Sequence, residues 1–263
     1  MTLAPAPQPL DPDRYRSASA HYERGRVPYA PALIRRVADV TGLGAQHRVL
    51  DLGCGPGPLA RRFAPLVREV VAMDPTPEML ALARALSGSA ANIQFVAGSS
   101  YDLRPALGPF HLVVMGRSFH WMDRVDTLKR LDRMIEPPGA VALFQDSAPA
   151  VPANAWRGVL HDIVARYEPN EGAHRTDPGW VRHEAILLAS PFPRLERFGV
   201  VERRPLDVKT LVKRTLSMGS TSPSYLGETK TAAMTAEIRA ALADVREEVV
   251  ETSALVAWRT ERD

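Results

Sequence analysis

Apolar positions along the chain follow two alternating rhythms. The short runs "HRVLDLG", "EVVAMD", "NIQFVAG", "FHLVVMG" and "AVALFQ" have the continuous apolar, β-branched character of buried strands. Between them apolar residues recur every three or four positions. Leu33, Ile34, Val37 and Ala38 share one face of a helix whose first turn suits Pro31, and Leu59, Ala60, Phe63 and Leu66 share another. Met79, Leu80, Ala83 and Leu86 form the inward face of "TPEMLALARAL", with Thr76 as its N-cap. "SSYDLRPALGP" reads as a loop, and the helix "RVDTLKRLDRMI" precedes the turn "EPPG". Strands alternating with helices in this way predict an α/β fold, a parallel sheet covered on both faces.

From about residue 147 the rhythm changes. Residues 147–193 predict a cap with a helical core around Trp156, Leu160 and Ile163 and proline-punctuated flanks. "RLERFGVVERRPLDV" and "EEVVETSALVAWRT" then read as two more strands, separated by helices near 208–217 and 232–246. The expected division is an N-terminal tail over 1–29, a core over 30–146, a cap insertion over 147–193 and a closing segment over 194–263.

Composition narrows the class. A chain of 263 residues with 45% hydrophobic and 24% charged residues fits one globular α/β unit with an added lobe. The net charge of +3 is spread without a run of like charges, which argues against a nucleic-acid arm. Cys54 is the single cysteine, so an internal disulfide and a CxxC metal site are excluded and a reducing, cytoplasmic setting is expected. The start "MTLAPAPQPLDPDR" lacks the pattern of a signal peptide, and no apolar run reaches the ~18 residues of a membrane helix.

The chemistry concentrates around "VLDLGCGPGPLA". A dinucleotide fingerprint G-x-G-x-x-G finds Pro58 where its third glycine belongs, whereas acidic-x-G-x-G-x-G is matched by Asp51, Gly53, Gly55 and Gly57. This segment, with "VVAMDPTPEML" and "FHLVVMGRSFHWMD", resembles the class I S-adenosylmethionine-dependent methyltransferases, and the resemblance covers residues 15–145. It is strongest to the small-molecule type that includes trans-aconitate and natural-product methyltransferases. The resemblance implies a Rossmann-like doubly wound, mostly parallel seven-stranded sheet with the last strand antiparallel and a helical cap after the fifth strand. It also implies S-adenosylmethionine as cofactor, with no metal.

S-adenosylmethionine has no phosphate, so the glycines serve close approach of the main chain to its methionine and ribose parts. Asp51 can accept from the α-ammonium directly or through water, or cap the turn. Asp74 can take both ribose hydroxyls, which is the role of the matching acidic residue in the family, and Pro75 and Met79 follow toward the adenine. Cys54 reads as a small residue in a tight turn. The family segment that reads the adenine amine carries an acidic residue where Ser99 stands here, followed by Ser100, Tyr101 and Asp102. A hydroxyl can accept the same bond without charge.

Gly116 permits approach to the sulfonium, and Arg117 adjoins it. Phe119 and Trp121 offer aromatic faces to a soft cation, and His120 is either a general base or an orienting group. In "YRSASAHYERGRVPYAP" the resemblance makes Tyr15 and Tyr22 a lid and pairs Arg26 with the ligand carboxylate, with Val27 where the family has proline. Trp156, Trp180, Met218 and Tyr225 are available to an acceptor under the cap or to the cap's own core. Arg117 and His183 can meet an anionic acceptor. The expected reaction is methyl transfer to O or N of a small metabolite by in-line displacement. The alternatives are a tRNA-modifying methyltransferase, a non-catalytic S-adenosylmethionine-binding protein and an NAD-dependent oxidoreductase. The partner expected is a small-molecule acceptor, with neither membrane nor nucleic acid, and a homo-oligomer is compatible with the sequence.

Overall fold

The computed structural model describes residues 25–168 and 180–259. The first half builds α1 (Pro31–Val40), β1 (Arg48–Leu52), α2 (Pro58–Phe63), β2 (Glu69–Asp74), α3 (Pro77–Ser87), β3 (Ile93–Ala97), β4 (Phe110–Gly116), α4 (Arg124–Leu131) and β5 (Ile135–Ser147). The second half adds α5 (Trp156–Tyr167), α6 (His183–Leu188), β6 (Arg194–Pro205), α7 (Val208–Leu216), α8 (Pro223–Leu226), α9 (Glu228–Ala241) and β7 (Glu247–Trp258).

One seven-stranded sheet runs in the order β3-β2-β1-β4-β5-β7-β6. Strands β1 to β5 are parallel, and β7 lies antiparallel to both β5 and β6. β1 has β2 on one side and β4 on the other, so the chain switches direction across the sheet there. A crevice at the carboxyl ends of the strands belongs at such a switch.

The apolar runs behave as their pattern requires. β4 buries Phe110 through Met115, because helices cover both its faces. Each large side chain so buried contributes ~1.5–3 kcal/mol, and a polar residue at Val113 would forfeit that while stranding its own hydrogen bonds. Leu33, Ile34 and Val37 of α1 and Leu59 and Phe63 of α2 pack with Phe144 and Trp258 on one face. Leu128 and Leu131 of α4 and Ile186 and Leu187 of α6 pack with Leu50 and Val113 on the other.

Two expectations shift. Leu86, read as inward, is 38% exposed at the last turn of α3, beyond the part that meets the sheet. The segment 147–193 divides: Ile163 and Val164 of α5 join Leu211, Leu226, Met234 and Ile238 of α7, α8 and α9 in a separate helical cluster, whereas α6 packs under the sheet. Among the described residues no helix is long and apolar enough to cross a membrane.

Candidate functional site

The loop after β1 is shaped by three left-handed glycines at alternate positions, Gly53 (φ +70°), Gly55 (φ +54°) and Gly57 (φ +76°). Only glycine adopts such angles without steric cost. The N–H groups of Gly53 and Cys54 donate to the Met73 carbonyl at 2.8 and 3.0 Å, which hooks the loop onto the end of β2. A Cβ at Gly53 would lie 2.6 Å from that of Ser118, whose hydroxyl donates to the Leu52 carbonyl at 2.8 Å. The glycine loop and the loop after β4 are therefore packed backbone to side chain. Gly57 stands at the N-cap of α2 and Pro58 at its first position, where no N–H is needed.

Asp51 and Asp74 end β1 and β2 beside this loop. Asp51 is 1% exposed, and its Oδ2 accepts from Ala60 N at 2.9 Å, so it caps α2 from a distance. Asp74 accepts from Gly55 N (Oδ2, 2.8 Å) and Thr76 N (Oδ1, 2.9 Å). Burial pushes the Asp51 carboxyl up to about 7; the Ala60 bond works against this, and the Asp74 charge adds to it. Burial raises Asp74 as well, against its bonds from Thr76 and Gly55. Among the described residues neither carboxylate forms an ion pair. Cys54 lies beside them, its thiol held well above its ordinary range by burial and then by the two carboxylates. It is a packing residue, not a nucleophile.

The adenine-side residues sit at the end of β3. The Ser99 N–H and hydroxyl both donate to Asp102 Oδ2, at 2.8 and 2.9 Å, while Tyr101 N donates back to Ser99 Oγ. This capping box uses Ser99 and Asp102 on the turn itself, with Ser100 buried beneath it and Tyr101 58% exposed. Met79 is buried against the sheet end, and Pro75 is half-buried.

At the end of β4 protein packs closely on one side of the glycine. A Cβ on Gly116 would lie 2.9 Å from both Leu59 Cδ1 and the Tyr29 hydroxyl, so the room this glycine leaves is taken by protein. Arg117 (φ +58°) donates to Asp146 at 2.6 Å and to the Val27 carbonyl at 3.1 Å, and stacks over Tyr29 at 4.7 Å. Phe119, His120 and Trp121 form one 3-10 turn, with Phe119 buried and the His120 and Trp121 rings 4.8 Å apart.

His183 does not carry a positive charge for an anion. Burial first, then the Arg124 cation, lower its pKa to about 4, with Glu184 opposing. As the neutral ring it receives Arg124 Nη1 at 3.3 Å and packs 5.1 Å from Phe119. Arg124 also donates to the Val181 carbonyl at 2.6 Å and stacks on Trp180 at 4.3 Å. This group supports the turn from behind.

A strap over residues 25–30 crosses the same edge. Arg214, Arg117 and Arg204 donate to the carbonyls of Gly25, Val27 and Pro28 at 2.9, 3.1 and 2.7 Å, and Arg26 donates to the Ser217 carbonyl at 3.1 Å. Tyr29, which pattern reasoning missed, is fully buried at its end. Tyr15 and Tyr22 lie outside the described residues. Trp156 packs half-buried on the helical cluster, Met218 is half-buried after α7, and Tyr225 is exposed on α8.

At the opposite edge His47, His111 and Glu136 come together, with ligand atoms within 4.8 Å of one another. The two rings stack at 3.8 Å and 13°, so their lone pairs run side by side without converging on one ion. His111 Nε2 donates to the Thr41 carbonyl at 2.6 Å.

S-adenosylmethionine fits the carboxyl edge on the chemistry of its donors. Two buried carboxylates that form no ion pair among the described residues, next to a loop whose glycines bare the main chain, suit a ligand carrying an ammonium, a sulfonium and a ribose diol. Residues 49–139 match the family model described as methyltransferase domain. An uncharacterized methyltransferase of Mycobacterium tuberculosis is 32% identical over 219 residues, 82% of this chain and 81% of that protein. Trans-aconitate 2-methyltransferase of Streptomyces avermitilis is 34% identical over 139 residues, about half of each chain (50% and 49%). The solved fold of an S-adenosylmethionine-dependent methyltransferase from Thiobacillus denitrificans, in complex with S-adenosyl-L-homocysteine, superposes with a TM-score of 0.50 at 14% identity, over 96% of this chain and 100% of that one. With its matched methyltransferase domain and its 32% identity to that mycobacterial protein over 82% of this chain, the chain belongs to the methyltransferases.

Proposed function

We propose that this enzyme methylates an oxygen or nitrogen atom of a small-molecule metabolite by in-line displacement. The observation that carries the reading is the pair of buried carboxylates, Asp51 and Asp74, at adjacent strand ends beside the glycine loop. When bound, S-adenosylmethionine supplies a methyl group on a sulfonium that leaves as a neutral thioether.

The chain's own part is positioning. Asp74 keeps acceptor capacity for the ribose hydroxyls, while its bonds to Gly55 and Thr76 hold it in place. Asp51 fixes the loop through Ala60 and lends its charge to the ammonium side. The turn of Phe119, His120 and Trp121 stands at the carboxyl end of β4, where the acceptor meets the methyl group. Orientation of two reactants in a dry site supplies a large part of such a rate, so His120 acts as a base only where the acceptor must lose a proton. The relative named for trans-aconitate supports a small acceptor, and the single buried thiol suits a cytoplasmic setting.

Calorimetric titration with S-adenosylhomocysteine should show saturable binding. No heat and no thermal shift at millimolar ligand would sink the reading.

A further inference from the structure

We infer that the acceptor is an anion, a carboxylate or phosphate compound, and that Arg157 on the first turn of α5 recognises it; this rests on the methyltransferase reading above. Among the described residues, the arginines that meet Asp146 and Glu248 at the carboxyl edge beyond β4 are joined by Arg157. Asp146 ends β5 and pairs across the ladder with Thr252 of β7. Paired residues share a face, and alternation along β7 puts Val250 and Glu248 on that face too. Glu251 falls out of this alternation and faces the other way, where it accepts from the Ser147 hydroxyl at 3.3 Å.

Each carboxylate of the shared face already has a cation. Arg117 holds Asp146 at 2.6 Å, and Arg214 holds Glu248 through two bonds of 2.5 and 2.7 Å. Arg157 brings a further guanidinium group to this edge. Among the described residues Arg157 forms no ion pair and no hydrogen bond; its guanidinium stands 5.4 Å from the centre of the Trp156 ring.

The placement of Arg157 is built, not incidental. The Asn154 amide donates to the Val249 carbonyl at 2.8 Å and accepts from Val249 N at 3.0 Å, which pins the start of α5 beside Glu248. Arg157 then borders an open surface depression with Ala148, Pro149, Val151 and Asn154, directly after the end of β5. Arg157 is an exposed residue; desolvation of its guanidinium and the Arg214 cation lower its pKa, while Glu248 and Asp146 raise it, which agrees with a position near these groups. Arg117, immediately after Gly116, ties the cluster to the turn of Phe119, His120 and Trp121. The cofactor half of the sheet lies over β1 and β2, so an anion held here is on the acceptor's side.

Calorimetry on the full chain saturated with S-adenosylhomocysteine tests the assignment, with citrate as the carboxylate probe and pyrophosphate as the phosphate probe. At least one should bind, weaken as salt is added, and lose ~10-fold or more in affinity in Arg157→Glu, with partial recovery in Arg157→Lys. S-adenosylhomocysteine should bind both variants as it binds the parent, which also reports that they fold. Equal binding of the anions by the parent and Arg157→Glu would overturn the inference, and so would no binding of either anion beside normal S-adenosylhomocysteine binding. Failure of S-adenosylhomocysteine to bind the parent is a separate result against the methyltransferase reading; the anion titrations repeated without it still judge Arg157.

Discussion

The two halves of the carboxyl edge are charged in opposite senses. Beside β1 and β2, Asp51 and Asp74 are buried and form no ion pair among the described residues; desolvation raises both, and only the nearby Arg61 charge opposes it at Asp51 besides the Ala60 bond. Beyond β5, Arg26, Arg117, Arg157 and Arg214 surround Asp146 and Glu248, and Asp146 is held below its ordinary range: burial would raise it, but Arg117, Arg26 and Arg214 outweigh that. A fold selected for stability alone would mix these charges. The buried carboxylates cost stability, whereas the paired arginines do not, and a cost of that kind is expected where a site needs the charge.

The largest effect expected is the pH response of the carboxylate side. The folded pKa of Asp51 is raised to about 7, so its favourable contribution is complete below about pH 4 and is lost as pH rises toward 7. The shift corresponds to roughly 4 kcal/mol. In urea unfolding of the ligand-free protein, Asp51→Asn should therefore gain on the parent between pH 4 and 8. His183 has the reverse sign: its folded pKa of about 4 makes stability fall as pH drops from 6.5 toward 4, a loss of roughly 3 kcal/mol that His183→Gln should abolish. Parallel curves for parent and variants would remove the electrostatic contrast between the two regions.

Next in size is the loop geometry. Gly53→Ala should cost ~3 kcal/mol in the same unfolding experiment, from a left-handed alanine and the clash with Ser118, whereas Gly55→Ala, with open space around its Cβ, should cost about 1 kcal/mol. Equal costs would show that Ser118 yields. Asp74→Ala should weaken S-adenosylhomocysteine binding by about 1.5–3 kcal/mol, read by calorimetry, while leaving the anion titration of the far half unchanged. The smallest effect falls on His120. A limb missing from the pH–rate profile of His120→Asn marks a base, and an unchanged profile with lower kcat marks an orienting group.

Legibility in the sequence divides along the same line. The strands β1 to β5, the glycine loop and the strand-end carboxylates are local patterns, and each could be read from a window of about ten residues. Ser99 and Asp102 also form a readable S-x-x-D box, though only the structure shows that they spend their bonds on each other. The guanidinium network was hidden because its bonds are long-range: Arg26 to Ser217 spans 191 positions and Arg204 to Pro28 spans 176. No periodicity marks Arg157 as different from Arg166 on the same helix, which pairs with Glu237. Gly116 was legible as a close approach, but the sequence did not tell whether Tyr29 or a ligand uses it.

The strap over residues 25–30 has a consequence for variation. Its clamps grip main-chain carbonyls, at Gly25, Val27 and Pro28, and carbonyls are common to every amino acid. The valine at position 27, where the family pattern has proline, presents the same acceptor to Arg117 as proline would. Relatives can therefore drift in strap sequence while the path of the strap persists, and heritable change in the clamp has to come through the three arginines, which lie 90 to 189 residues away.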